Sequence, residues 1–174
     1  FIGYLKHPYV SLYGGRGCRG RCTYCLWPQT IGSGTYRVRS PENIIGELAR
    51  AKMLFPQAKE FFFDDDTFTD HPGLHEIAEG VGPLGLTWSS NARANVPKDT
   101  LEMLKDSGLR LLVVGFESGN QTILNNIRKG ISVEGARRFA QAAKEAGVLV
   151  HGTFILGLPG ETRETMEETM RFAR

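Results

Sequence analysis

Cys18, Cys22 and Cys25 are the only cysteines of the chain, and they fall within eight consecutive residues at C-x3-C-x2-C spacing. Cysteine used for packing is a small hydrophobe that a core would scatter along the chain. Gathered instead on a glycine-flanked stretch, the thiolates point to one metal centre. Three ligands is an informative count. Structural zinc takes four, and an ordinary [4Fe–4S] cluster takes four cysteines. Three thiolates on a cubane leave one iron able to bind a chelating small molecule. Two other chemistries fit the same residues: a zinc site completed by a distant histidine such as His151, and a disulfide with a spare thiol. The odd number of cysteines argues against a disulfide framework.

Such a loop needs a scaffold, and the pattern around it alternates strand and helix. Tyr9–Tyr13 reads as a short strand running into Gly14-Gly15-Arg16-Gly17 and the cysteines. Ser40, Pro41 and Glu42 form a helix start, with a capping hydroxyl, proline at the first position and an acid in the first turn. Ile44, Leu48, Ala51 and Phe55 follow at helical spacing up to Pro56. Strands are predicted over Phe61–Phe63, Leu86–Ser90, Leu109–Phe116 and Val148–Leu156. Helices are predicted over 74–81, 97–107, 121–127 and 132–146, with Gly108 and Gly147 as stops, and Thr162 opens another. Repeated strand–helix units with short connections predict an α/β fold, a parallel sheet with helices outside.

In β/α architectures chemistry gathers where the strands end. The predicted ends carry the cysteines, then Asp64, Asp65, Asp66 and Thr67, then Ser89, Ser90 and Asn91 with Arg93 close after, then Glu117. The last end, Ile155-Leu-Gly157-Leu-Pro-Gly-Glu161, is glycine-rich, so its backbone can approach a ligand closely. Plainer readings stand beside these. An aspartate after a strand is often a helix cap, although three in a row exceed what capping needs. Arg128 and Lys129 also suit a helix C-terminus. His71 and His75 read as surface residues. His151 reads as a core histidine, with a place facing substrate as the alternative. Trp27 and Trp88 read as packing.

The cysteine spacing, with aromatic Tyr24 just before the third cysteine, resembles the signature of the radical S-adenosylmethionine superfamily. That resemblance implies a [4Fe–4S] cluster on Cys18, Cys22 and Cys25, and an open partial (β/α) barrel cut off after about five β/α units. It implies S-adenosylmethionine as the second cofactor, cleaved to a 5′-deoxyadenosyl radical that abstracts hydrogen from substrate. Candidate cofactor contacts are Tyr24, Asp64 or Asp65 for the ammonium, Asn91, and Glu117 for the ribose. Lys129 or Arg128 would meet the carboxylate, and the backbone of Ile155 to Gly157 the adenine. The aspartates stand where the superfamily usually carries glycine-glycine-glutamate. Phe62-Phe-Asp-Asp-Asp-Thr-Phe68 and Leu156-Gly-Leu-Pro-Gly-Glu-Thr162 are similar to the class with a cobalamin-binding domain. Adding Cys25-Leu-Trp-Pro-Gln-Thr30 and Glu117-Ser-Gly-Asn-Gln121 gives a likeness to the hopanoid-biosynthesis-associated HpnJ-like subgroup. That subgroup implies a lipid substrate in bacteriohopanetetrol cyclitol formation. One departure is Tyr13-Gly-Gly-Arg-Gly-Cys18, where such proteins more often have Ser or Thr before the Arg.

Alternatives in the same chemistry are a cobalamin-dependent radical methyltransferase and a methylthiotransferase-like enzyme. An alternative of another class is a zinc-stabilised binding module without catalysis. Cobalamin would come from a domain outside these residues, which carry no motif for it. The 174 residues suffice for one domain, 1–174, and the formal net charge of +2 gives no reason to expect nucleic acid. Arg16, Arg19, Arg21, Arg37 and Arg39 nevertheless make the cysteine region locally basic, either as a solvated loop or as an attractor of anions. Expected partners are a small-molecule or lipid substrate and a reductant such as flavodoxin or ferredoxin. No apolar run approaches the roughly 18 residues of a membrane span, which leaves peripheral membrane contact open. Reduced thiols fit a cytoplasmic protein. A start at Phe1 and an end inside Met166–Arg174 suggest a piece of a longer protein, without an upstream domain or a sixth β/α unit.

Overall fold

The computed structural model describes residues 4–27, 30 and 34–174. Pro28 and Gln29 of the Cys25-to-Thr30 phrase lie outside the described residues. Strand β1 (Tyr9–Leu12) leads into a small hairpin of β2 (Gly15–Gly17) and β3 (Tyr36–Val38), between which the cysteine loop runs. The chain continues through α1 (Pro41–Leu54), β4 (Glu60–Phe63), α2 (Leu74–Val81), β5 (Trp88–Ala92) and α3 (Lys98–Asp106). It ends through β6 (Leu109–Glu117), α4 (Gln121–Asn126), α5 (Val133–Glu145), β7 (Leu149–Phe154) and α6 (Arg163–Phe172). The five long-range strands pair in the order β1-β4-β5-β6-β7, every neighbour parallel. The α/β partial-barrel architecture is therefore as expected.

Local signals account for most boundaries. Ser40 caps α1 by accepting from Asn43 N–H, Ser132 does the same for α5 through Gly135 N–H, and Thr162 with Thr165 forms a capping box on α6. The β2–β3 hairpin was not anticipated. Each strand is three residues long, too short to show a period. What holds it is close approach, since a Cβ on Gly15 would stand 2.6 Å from Arg37 O. The third long strand starts at Trp88 rather than Leu86 and extends to Ala92, following its pairing with β6.

The sheet has two unlike faces because side chains alternate along each strand. Outward residues Leu12, Phe61, Phe63, Trp88, Leu112, Val114 and Phe116 form the main core with Ile44, Leu48, Leu101, Leu104 and Phe139 of the helices. The inner face is mixed. At its lower end the β5–β6 register slips and leaves Arg110 unpaired. A bulge of this kind re-aims a side chain. Arg110 meets the fully buried Glu60 through Nε–Oε1 and Nη2–Oε2 contacts of 2.8 Å each, and it also donates to Tyr4 O at 2.6 Å. Glu60 further accepts from Ser89 Oγ and from Lys6 N–H. The buried carboxylate is thus fully engaged, and the segment Tyr4–Lys6 is tied across the foot of the sheet.

Three sequence expectations are corrected. His71 is not a surface residue but 4% exposed. Its Nε2 lies 3.0 Å from Arg39 O, its Nδ1 accepts from Gly73 N–H at 3.0 Å, and burial pushes its pKa down. His151 is not in the core. It lies exposed on the inner face of β7, at the edge of the described sheet, with its ring 4.5 Å from that of Tyr4. Trp88 packs as expected, but Trp27 is 46% exposed.

Candidate active site at the strand ends

The site is built from the hairpin outward. Asp65 leaves β4 pointing into the fold, 1% exposed. Its carboxylate accepts from Gly14 N–H at 2.8 Å and from Tyr36 Oη–H at 2.9 Å, so it pins both arms of the β2–β3 hairpin. Burial pushes its pKa up despite these donors, and burial does the same to the Tyr36 hydroxyl. The backbone carbonyl of Asp65 accepts from Asn91 Nδ2 at 2.8 Å, which joins the ends of β4 and β5. Asp64 is the neighbour that stays exposed, and its Oδ2 accepts from Tyr13 Oη–H at 3.1 Å. Tyr13, Asp64, Asp65 and Asn91, with Gly15, Arg16, Gly17, Trp27 and Asp66, line a cavity of about 330 Å³. That lies within the roughly 300–1,000 Å³ of small-molecule sites. A larger hollow of about 690 Å³ on the outer side of β7 is lined by Phe116, Phe154, Phe172 and residues of α5, and by none of the candidate site residues.

The cysteine loop begins one residue after the hairpin strand. No disulfide joins the three thiols, each of which is half-buried. Gly20 N–H donates to Cys18 Sγ at 3.2 Å, and a Cβ on Gly20 would stand 3.2 Å from Cys18 Sγ and 3.8 Å from Cys22 Sγ. Two sulfurs therefore flank one glycine. The same hypothetical Cβ would meet Arg93 Nη1 at 2.9 Å. Cys25 is pushed up in pKa by burial first, then by the charges of Cys22 and Cys18. Mutual repulsion of this kind is what a cation-rich centre between the sulfurs would relieve. Among the described residues no three His, Cys, Asp or Glu are gathered tightly enough for a single metal ion. A donor set of three thiols around a glycine, with a backbone N–H aimed at one sulfur and a guanidinium alongside, fits a [4Fe–4S] cluster better than zinc.

Three of the predicted cofactor residues meet each other. Tyr24 Oη–H donates to Glu117 Oε1 at 2.8 Å, and Lys129 Nζ donates to the same oxygen at 2.7 Å and to Tyr24 Oη at 3.3 Å. Glu117 is 6% exposed and Lys129 7%. Local backbone creates this meeting. The β6–β7 register slips between Gly115 and Glu117, and Glu117 takes a positive φ of 67°, unusual for a residue with a side chain. A Cβ on Gly115 would overlap Glu117 Oε1 and stand 3.0 Å from Lys129 Nζ, so a side chain there would displace the pair. Burial, then the Glu117 hydrogen bond, pushes the Tyr24 hydroxyl up in pKa. Thr23 N–H donates to Ile127 O at 2.9 Å, and Arg93 Nη2 donates to Lys129 O. The cysteine loop is therefore clamped to the connection that follows α4 by a side-chain triad, a backbone bond and an arginine.

The remaining candidates are spread more widely. Ile155 N–H donates to Glu117 O at 3.0 Å, so the end of β7 is joined to the clamp. Gly157 is exposed with φ 91°, and Glu161 accepts from its N–H at 2.5 Å and from Leu158 N–H at 2.9 Å. Arg128 is exposed beside buried Lys129. Sequence reasoning gave no task to Arg93, Tyr36 or Gly115. Only the closeness of Arg93 to a strand end hinted at a role for any of them.

Residues 12–173 match the radical SAM superfamily. The chain is 32% identical over 171 residues to an uncharacterised methyltransferase of Pyrococcus horikoshii, covering 96% of this chain and 37% of that protein. It is 30% identical to the cytidylyl-2-hydroxyethylphosphonate methyltransferase of Streptomyces wedmorensis, covering 91% of this chain and 31% of that protein. The chain thus spans about a third of the length of these curated relatives. Among solved structures, the radical S-adenosylmethionine methyltransferase TsrM from Kitasatospora setae superposes with a TM-score of 0.84 at 18% identity, over 94% of this chain and 33% of that one.

Proposed function

Because the chain belongs to the radical SAM superfamily, whose members use a [4Fe–4S] cluster and S-adenosylmethionine, we propose that it is the radical-generating core of a cobalamin-dependent methyltransferase. What carries the reading is the three-thiol loop, clamped beside a cavity at the strand ends. The choice of methyl transfer is supported by the two methyltransferases above, each matched across more than nine-tenths of this chain. The hopanoid reading draws no support from those relatives. Cobalamin would be held outside these residues.

When bound, a cluster with one iron open to S-adenosylmethionine supplies the electron that breaks the sulfonium bond. The chain's own part is to bind and orient. Cys18, Cys22 and Cys25 are the ligands, and Gly20 N–H steadies the Cys18 thiolate. Both aspartates proposed for the ammonium line the cavity, and Asp64 is the exposed one, since Asp65 is buried and committed to Gly14 and Tyr36. Glu117 Oε1 is taken by Tyr24 and Lys129, which leaves Oε2 for a ribose hydroxyl. Lys129 carries three donors and uses two, leaving one for the cofactor carboxylate. Asn91 lines the cavity and braces it through Asp65 O, and the backbone from Ile155 to Gly157 offers an edge for adenine.

The test uses the full-length protein, reconstituted with iron and sulfide, supplied with reduced cobalamin and methyl-labelled S-adenosylmethionine. Label on cobalamin or on a product, together with 5′-deoxyadenosine, is expected. Formation of 5′-deoxyadenosine with no transfer of label would exclude methyl transfer and leave hydrogen abstraction alone.

A further inference from the structure

Arg93 makes none of the cofactor contacts proposed above, yet its side chain stands beside the sulfurs. A Cβ on Gly20 would lie 2.9 Å from Arg93 Nη1, 3.2 Å from Cys18 Sγ and 3.8 Å from Cys22 Sγ. One guanidinium nitrogen and two thiols therefore converge on the same glycine. The other arm of the fork is held. Nη2 donates to Lys129 O, and a Cβ on Gly130 would stand 3.2 Å from it. The same connection after α4 receives Thr23 N–H at Ile127 O, 2.9 Å away. The cysteine loop and the arginine thus share one anchor, which fixes how far apart they stand.

The charge on this side chain is uncompensated. Among the described residues no Asp or Glu comes within ion-pair distance of Arg93. Lys129, the other cation of the clamp, is different, because Glu117 neutralises it at 2.7 Å. Arg19 and Arg21 lie between the cysteines but are exposed, where salt screens them. Arg93 is half-buried, so its charge is screened less. The sign of its effect follows. A cubane on three thiolates gains one unit of negative charge when it takes up an electron. A fixed positive charge alongside favours that reduced form, and the potentials of such clusters respond to nearby charge, hydrogen bonds to sulfur and solvent exposure. We propose that Arg93 sets the reduction potential of the cluster, holding it above the value that the three thiolates alone would give, an inference that rests on the cluster reading above. One electron from a low-potential one-electron reductant enters the cluster, and no bond or proton on this chain changes. The bond to Lys129 O aims the charge, so the clamp that ties down the cysteine loop also fixes the distance over which the charge acts.

The experiment compares the full-length wild type with Arg93→Gln and Arg93→Lys, each reconstituted with iron and sulfide and kept free of S-adenosylmethionine. The midpoint potential is read by titration with dithionite and redox mediators, following the electron paramagnetic resonance signal of the reduced cubane. A midpoint is read from whatever fraction carries the cubane, so incomplete loading does not blur it. Glutamine keeps a donor for Lys129 O and loses the charge, whereas lysine keeps the charge and loses the fork. Arg93→Gln should make reduction at least about tenfold less favourable, a midpoint lower by about 59 mV for one electron, and Arg93→Lys should stay within about threefold of wild type. A side chain that only braced the loop would give the opposite ranking, with glutamine like wild type and lysine displaced, and that result overturns the inference. An unchanged midpoint in Arg93→Gln overturns it as well, including the case where S-adenosylmethionine binding alone is weakened, which would make Arg93 a cofactor contact. Loss of the cubane from Arg93→Gln alone also overturns it, because the charge would then serve assembly and not potential. A wild type that never shows a cubane signal takes down the cluster reading and this inference together, whereas a cubane with equal midpoints in all three proteins takes down this inference alone.

Discussion

Lys129→Met tests whether the Tyr24–Glu117–Lys129 clamp holds the domain together or merely happens to lie there. The ammonium and carboxylate stand 2.7 Å apart, and their side chains are 9% and 8% exposed, so solvent screening gives little relief. Removing one partner of such a pair leaves an uncompensated buried charge, at a cost of about 3–5 kcal/mol. A domain's whole stability is about 5–15 kcal/mol, so the loss is large. At a urea slope near 2 kcal/mol/M it would move the unfolding midpoint by about 1.5–2.5 M. Glu117→Gln should also destabilise, by less, because the amide oxygen still accepts from Tyr24. Combining Glu117→Gln with Lys129→Met removes both charges and keeps the tyrosine bond. The double variant should therefore be more stable than the sum of the singles predicts, by at least about 2 kcal/mol. Gly115→Ala should mimic the loss, since its Cβ overlaps Glu117 Oε1. Urea unfolding of the cluster-free protein, followed by the emission of buried Trp88, gives all the values. Additivity within about 0.5 kcal/mol would show that the pair is not energetically coupled, and the clamp would then be refuted as the anchor of the cysteine loop.

The two neighbouring aspartates should separate binding from folding. Asp64→Asn, at an exposed position, should weaken S-adenosylmethionine binding by calorimetry and leave the unfolding free energy within about 0.5 kcal/mol of wild type, whereas Asp65→Asn should lower the urea midpoint because it disturbs the donors Gly14 and Tyr36. Stability should also fall on acidification through His71. Its folded pKa is held below the ordinary 6.5 by burial, against the opposing pull of the Arg39 carbonyl and the charges of Asp65 and Glu76. The unfolded chain then binds the proton first, so stability is full above about pH 6.5 and declines below it, with a slope of at most about 1.4 kcal/mol per pH unit. Unfolding midpoints from pH 7.5 to 5.5 should show this slope in the wild type and lose it in His71→Asn.

The strands and helices could be read because their signals are local. Ser40-Pro41 is a local helix start, and Phe61-Phe-Phe63 reads as a strand from its own residues. Parallel order followed from the alternation, and the structure agrees. The β2–β3 hairpin was hidden because its strands are three residues long and separated by the cysteine loop. His71 and His151 exchanged places for a related reason. A histidine flanked by Asp70 and Pro72 looks solvated, yet the 3₁₀ turn Phe68–Asp70 packs it under Arg39. A histidine in an apolar strand looks buried, yet alternation along β7 puts His151 on the open inner face.

At the site, residue types were readable but partnerships were not. Asp64 and Asp65 are adjacent and chemically identical, and sequence offers no means of choosing between them. The fold chooses, committing one buried carboxylate to Gly14 and Tyr36 and leaving the other exposed at the cavity. Glu117 and Lys129 were assigned separately to two ends of one cofactor, because nothing in twelve residues of separation shows that a bulge will point them at each other. The room for that meeting lies beside Gly115, a residue with no functional group. Three residues proposed to face the cofactor thereby bond one another, which ties the loop carrying the thiols to the strand end carrying the carboxylate. A binding loop held this way keeps its ligands oriented before the cluster arrives. The charges that hold it are also two of those proposed for the cofactor, so occupancy of the cofactor site should stiffen the cysteine loop.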